Sequence, residues 1–317
     1  MTERPRVLVL GAGGFIGSHL VDALVARGYP VRALDRFAPN VAPLFRHDPA
    51  IELVNANFLN RGELTEALGG VDTVVHLVST TNPATAENDP LIDIETNVRG
   101  SVQLFDQCVQ SGVRRVLYTS SGGTVYGDRF SDAPISETDP TLPVSPYGIG
   151  KLSVENYLRY FRRKFGLDSV SFRIANPFGE RQPFWKKQGV IPIFLEAIMH
   201  RRPITVMGDG SMTRDYVYVT DVAEMIADSV GRTAAHDVYN LGSGVAISVN
   251  DVIGAIEHVT GMEAIRNHVP TPSTFVHSSV LDMSRYTAEF GALPMTPLVE
   301  GIAKTYDYMR SFGDVQQ

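Results

Sequence analysis

The sequence predicts an α/β fold: a doubly wound parallel sheet followed by a smaller C-terminal lobe. Three observations carry this expectation. Short branched-aliphatic runs alternate with helix-length segments in the first half, a glycine-rich turn joins the first run to the first helix, and the composition changes after Arg173. Continuous apolar runs of this kind suit strands buried on both faces by helices.

In chain order, strands are expected over 6–10, 30–35, 51–56, 72–78 and 115–120, with helices over 15–27, 63–68 and 94–110. Segment 145–166 reads as a helix with Ser145 as N-cap and Pro146 at its first position. Beyond Arg173, "ANPFGERQPFWKKQG" is rich in Gly, Pro and aromatics, and a helix near 191–199 and a strand near 204–207 follow. "VTDVAEMIADSV" then reads as a helix and "DVYNLG" as a strand, so the chain is expected to return to the first domain. The expected division is 1–173, with a return at about 218–245, and a second lobe of 174–217 and 246–317.

A chain of 317 residues that is 44% hydrophobic can bury a sizeable core. Its 35 acids outnumber 28 bases with no basic run, which argues against a nucleic-acid partner. The single Cys108 excludes an internal disulfide and reads as a small buried helix residue. The apolar run before the first glycines is too short for a signal core or a membrane span, so the expected address is the cytoplasm, with no membrane partner. Eight scattered histidines with no HxxxH pair and no CxxC give no reason to expect a metal.

"GAGGFIG" follows the first strand and opens a helix. Gly11, Gly14 and Gly17 permit a tight turn, close approach of backbone to a pyrophosphate, and close helix packing. The helix N-terminus adds N–H donors and positive dipole. Asp35 ends the second strand 18 residues after Gly17, where a carboxylate binds the ribose hydroxyls of NAD and repels a 2′-phosphate. Arg36 beside it keeps NADP as the lesser alternative.

Tyr147 and Lys151 lie four apart on one helix face, where an ammonium is expected to lower the phenol towards a working base. Tyr160 and Lys164 repeat the spacing, but thirteen residues at roughly 100° each place that pair about 220° around the helix. Tyr160 is therefore expected to be structural. Gly148 and Gly150 flank the first pair, a cost in helix stability that makes sense where something approaches closely.

These stretches, with "HLVS" (76–79), "NVRG" (97–100), "SSGGTVYG" (120–127), "NPFGERQ" (176–182), "GDGSMTRDYVYVTD" (208–221) and "LDMSR" (281–285), resemble the extended short-chain dehydrogenase/reductase family, and within it the nucleotide-sugar 4-epimerase group. The resemblance spans most of the chain. It implies a Rossmann-type domain with a C-terminal substrate-binding lobe and a Ser/Thr, Tyr147, Lys151 active set. It implies NAD binding by Gly11, Gly14, Phe15, Ile16, Gly17, Asp35, Arg36, Asn57, Phe58, Leu77, Ser79, Asn97, Ser120, Tyr147 and Lys151. A UDP-sugar would meet Ser121, Gly122, Thr124, Tyr147, Asn176, Arg181, Val190 and Arg214. Asn57 stands where many relatives have an Asp reading the adenine amine. The family's Arg-x-x-Asp falls on Pro272 to Phe275, leaving Arg181, Arg266, His268 or His277 as candidates for the missing diphosphate contact.

Relatives that dehydrate or decarboxylate carry an acid just before "VYG", whereas this chain has Gly122, Gly123 and Thr124. The expectation is therefore NAD-dependent C4 epimerisation of a UDP-hexose, with a keto-reductase or a non-catalytic dinucleotide sensor as alternatives. Lys186 and Lys187 beside Trp185 keep a uronic acid substrate level with a neutral hexose. Counting back from "VYG" puts the relay hydroxyl on Gly122, whereas counting forward along the strand gives Ser121, with Thr124 as runner-up. The forward count is preferred because a glycine pair absorbs an insertion, and Ser120 is expected to be structural as well as near the cofactor. A homodimer is expected through helices near 98–109 and 153–165, although core packing accounts for the same apolar residues.

Overall fold

The computed structural model describes residues 4–37, 44–45, 48–128, 133–183, 188–271 and 278–313. The first unit runs β1 (Val7–Leu10), α1 (Phe15–Ala26), β2 (Val31–Asp35), β3 (Ile51–Asn55), α2 (Arg61–Leu68) and β4 (Thr73–His76). The segment expected as one helix over 94–110 is built in parts. Short helices α3 (Pro83–Asn88) and α4 (Pro90–Asp93) lead through a π-helical turn, Ile94–Val98, into α5 (Arg99–Gln110). Then come β5 (Arg115–Ser121), the single turn α6 (Gly122–Val125), α7 (Pro146–Phe165) and β6 (Asp168–Ile174).

The remainder comprises β7 (Asn176–Phe178), α8 (Val190–Met199), β8 (Ile204–Met207), β9 (Thr213–Tyr218), α9 (Val219–Ser229) and β10 (Val238–Leu241). It ends with β11 (Ala246–Ser248), α10 (Val249–Thr260), β12 (Arg266–Val269), β13 (Ser278–Ser279), α11 (Ser284–Phe290) and α12 (Leu298–Gly313).

Seven strands form one parallel sheet in the order β3-β2-β1-β4-β5-β6-β10. The order reverses between β1 and β4, which opens a crevice above the carboxyl ends of those strands. Alternate side chains serve opposite faces. Val7 and Val9 pack with Leu20, Leu24, Val222 and Ile226 of α1 and α9, while Leu8 and Leu10 pack with Leu64, Leu104, Phe105 and Leu158 of α2, α5 and α7. A third core joins Leu195 of α8, Val206 of β8, Ile253 of α10 and Ile302 of α12. Cys108 is buried in α5, where loss of solvation pushes its thiol well up and leaves it inert. Among the described residues, no helix is long and apolar enough to cross a membrane.

The helix α7 is specified by its ends. Ser145 Oγ accepts from Gly148 N–H at 3.2 Å, Pro146 opens the first turn, Arg162, Arg163 and Lys164 face the negative end of the dipole, and Gly166 closes it at φ 72°. Its buried face carries Glu155, which receives a two-pronged bond from Arg173 on β6 at 2.8–3.3 Å and a further bond from Ser120 on β5. Burial alone would lower the Arg173 guanidinium, but the Glu155 bond outweighs it and raises it. Both side chains are almost fully buried. Removing one partner strands a charge, so Arg173→Leu should cost about 3–5 kcal/mol, and Glu155→Leu/Arg173→Leu should recover most of that loss. Urea unfolding midpoints of the two variants check this.

Candidate active site

The phosphate turn is built by close backbone contact. A Cβ on Gly17 would stand 2.0 Å from the Gly11 carbonyl oxygen and one on Gly14 3.1 Å from it, while Gly11 sits at φ 87° against the Leu77 and Val78 backbone. Gly14 caps α1 with no side-chain bond, and no acid occupies the first turn with Phe15 and Ile16. The first N–H groups are thus presented to an anion, as the pyrophosphate of a dinucleotide requires. At the end of β2, Asp35 accepts from Gly13 N–H at 2.8 Å and Arg36 N–H at 2.7 Å, which fixes its carboxylate beside the turn. These residues fit NAD.

Other expected cofactor contacts are occupied within the protein. Asn57 Oδ1 already accepts from Leu59 N–H at 3.1 Å, and the Phe58 ring is buried against His76 and Gly100. Ser120 bonds Glu155 in the core, so its hydroxyl faces α7 and not the crevice. Asn97 is consumed on both ends. Its oxygen accepts from Thr80 and its amide donates to Thr81 and Asp93, both at 2.7 Å, which ties the π-helical turn to the loop after β4. A π turn of this kind redirects one helical face, and such turns concentrate at functional sites.

Tyr147 and Lys151 share the first turns of α7, with Lys151 Nζ 5.5 Å from the Tyr147 ring centroid. The expected lowering of the phenol is absent in this arrangement. Burial pushes Tyr147 up to about 12; a hydrogen bond with Ser79 works against that rise and the Asp93 charge adds to it. Lys151 Nζ donates instead to the Thr119 carbonyl at 2.9 Å, and burial brings the amine down to about 8 against the influence of Asp93 and Glu155. Tyr160 bonds Lys164 at 2.9 Å on the exposed side of α7, away from this pair.

The glycines of α7 are explained by what approaches them. A Cβ on Gly148 would stand 2.7 Å from the Thr124 carbonyl oxygen, and one on Gly150 2.0 Å from Asp93 Oδ2. Ser121 ends β5 opposite Ile174 and Gly122 opens α6 directly. Gly122 has no room for a side chain, since its Cβ would meet Leu281 at 2.6 Å, whereas Gly123 faces Asn176 Oδ1 at 3.8 Å. Thr124 Oγ1 is buried without a hydrogen-bond partner. Asn176 on β7 donates to the Asp215 carbonyl at 2.9 Å, which sets it beside Arg214 on β9.

Not every expected substrate residue converges here. Arg181 pairs with Asp22 of α1 at 2.8 Å and lines a cleft of about 640 Å³ with His19 and Glu224, a place that holds none of the residues above. Of the other candidates for the missing diphosphate contact, Arg266 is paired with Glu257 and His268 bonds the Gly208 carbonyl. Val190 begins α8 and packs on the third core. Pro272 to Phe275, His277, Trp185, Lys186 and Lys187 lie outside the described residues. Among the described residues, no cluster of His, Cys, Asp or Glu could hold a metal ion. Asp93 and Glu155 were not singled out by motif or spacing, and the one sequence cue to Asp93 was Gly150.

A model of the NAD dependent epimerase/dehydratase family matches residues 7–242. The chain belongs to this family. A UDP-glucose 4-epimerase from Mycolicibacterium smegmatis is 36% identical over 96% of this chain and 99% of its own. A dTDP-4-dehydro-6-deoxyglucose reductase from Escherichia coli is 33% identical over 96% of this chain and 97% of its own. The solved UDP-glucose 4-epimerase of Thermus thermophilus, in complex with NAD, superposes with a TM-score of 0.87 at 31% identity, covering 96% of this chain and 99% of that one. The family member described here is therefore an NAD-dependent enzyme type of Rossmann fold whose relatives differ in the reaction they run. Gly17→Ala should abolish NAD retention, because the methyl has no space, while Gly254→Ala, with nothing within 4 Å, should keep it. Cofactor released on denaturing each purified protein reads the outcome.

Proposed function

We propose that the protein epimerises a UDP-hexose at C4 through a transient 4-keto sugar, with a neutral hexose or a hexuronate as substrate. The observation that carries this reading is the set of Tyr147, Lys151, Ser121 and Thr124 around a glycine pair that bears no acid. Elimination or decarboxylation needs a further proton donor or acceptor, and the stretch Gly122, Gly123 and Thr124 carries no acid to serve as one. Bound NAD would supply the hydride acceptor and, once reduced, the hydride donor for the return.

The chain's own groups do the rest. Tyr147 takes the O4 proton and returns it to O4 after the keto sugar has turned its other face to the hydride donor, Ser121 relays between O4 and the phenol, and Lys151 holds positive charge next to them. Thr124 offers a buried oxygen that no group of the described residues satisfies. Asn176 and Arg214 bind the diphosphate; burial lowers the Arg214 guanidinium, consistent with a site built to receive an anion. We assign residues 1–173 and about 218–245 to the dinucleotide domain and 174–217 and 246–317 to the substrate lobe, in a cytoplasmic homodimer. A 4-keto sugar reductase is the competing reading, favoured by the Escherichia coli relative.

Products of a UDP-sugar panel, including uronates, separated by mass spectrometry and NMR, should show the C4 epimer with no net change in NADH. Stoichiometric NADH consumption would replace this reading with the reductase. Tyr147→Phe should cut turnover by about 10²–10⁴-fold while NAD stays bound. Thr124→Val should stabilise the free protein by about 1 kcal/mol, since it removes an unmet hydroxyl, and raise KM for the sugar nucleotide. Thermal unfolding and steady-state kinetics on the same variant test that opposition.

A further inference from the structure

Asp93 is the last residue of α4, one position before the π-helical turn. Its side chain is buried, at 3% exposure. Thr81 Oγ1 donates to its Oδ1 at 2.5 Å and Asn97 Nδ2 at 2.7 Å, so both of these bonds come from neutral groups. The other oxygen rests against Gly150, where a Cβ would stand 2.0 Å away. Gly150 lies between Tyr147 and Lys151 on α7. A buried carboxylate is thus seated against the turn that carries both groups, and the helix gives up a side chain to admit it.

The neighbours of the pair can be followed element by element. From β4 and its loop come His76, which burial drops to about 3 and so leaves neutral, and the Ser79 hydroxyl. From β5 come Tyr118, which burial raises, and the Thr119 carbonyl that holds Lys151. Thr124 comes from α6, and Glu155 from α7 is matched by Arg173. Asp93 is the carboxylate in this set without a matching guanidinium bond. It is also the foremost charge raising Lys151, and it adds to burial in raising Tyr147.

We propose that Asp93 is a positioning residue for Tyr147 and Lys151: its buried carboxylate, seated against Gly150 between them, favours the Lys151 ammonium and weighs against charge on the Tyr147 oxygen. The role rests on the reading of these two residues as the catalytic pair. It makes the protonation of the pair depend on a residue outside the proposed catalytic set.

Two measurements test it. In the free protein labelled with carbon-13 at tyrosine Cζ, the Tyr147 resonance, identified by its loss in Tyr147→Phe, should titrate about one pH unit lower in Asp93→Asn. With substrate, both limbs of the kcat profile should move to lower pH by a similar amount, because both groups lose the carboxylate that raises them. Gly150→Ala, whose methyl displaces the carboxylate, should shift the profile the same way. A purely structural role would lower kcat at every pH and leave the titration where it was, and unmoved titration in both variants overturns the proposal. Absence of turnover on every sugar nucleotide would remove the proposed function, while the Tyr147 titration would still decide the role of Asp93.

Discussion

The site depends on one constraint: α7 must bury a face that carries polar groups. Tyr147, Lys151 and Glu155 follow one another at four-residue spacing, so they form a single stripe turned towards the sheet. Burying such a stripe is costly unless each group finds a partner. The partners are the Thr119 carbonyl for Lys151, Ser120 and Arg173 for Glu155, and Ser79 for Tyr147. They lie on β5, on β6 and after β4, and that spread of strands is what orients the helix across the sheet. Tyr147 and Lys151 on one side and the buried ion pair on the other are therefore two halves of one docking surface.

The strand β9 is tied to this surface by a second buried carboxylate. Asp215, fully buried on β9, accepts from Ser243 N–H and Oγ, Gly244 N–H and Leu281 N–H, and Gly242 lies so close that a Cβ would stand 2.2 Å from it. Leu281 in turn packs on Gly122. The strand that carries Arg214 and the loop that carries the hydroxyls are thus linked through one side chain. A shift of β9 by an ångström would be felt at Gly122, because close-packed interiors transmit displacement.

Much of this was legible in the sequence. The aliphatic runs marked every strand of the large sheet from β1 to β5, "DVYNLG" marked β10, and the Ser145, Pro146 and Gly166 signals placed both ends of α7. The glycine turn and Asp35 were legible because backbone geometry and strand ends are local properties. Partnerships made only by tertiary contact were not. Nothing in a periodicity says that Glu155 will meet Arg173, that Asn97 will spend its side chain on Thr80 and Thr81, or that Arg181 will turn to Asp22. The π turn was missed for the same reason, since one added residue in a helical pattern leaves no mark on composition.

The relation of Tyr147 to Lys151 shows why spacing alone misjudges chemistry. Four residues apart on a helix, they should meet, yet the amine is drawn to the Thr119 carbonyl and the phenol sits near 12. To act as a base at neutral pH, the phenol must be brought down by about five units, roughly 7 kcal/mol. One unit charge at about 4 Å contributes about 4 kcal/mol at the effective dielectric of a partly buried site. A single added cation therefore falls short of that drop, and Lys151, already in place, does not supply it. A phenol held high by burial is protected from ionising in the free protein, where a stray phenolate would only be an uncompensated buried charge.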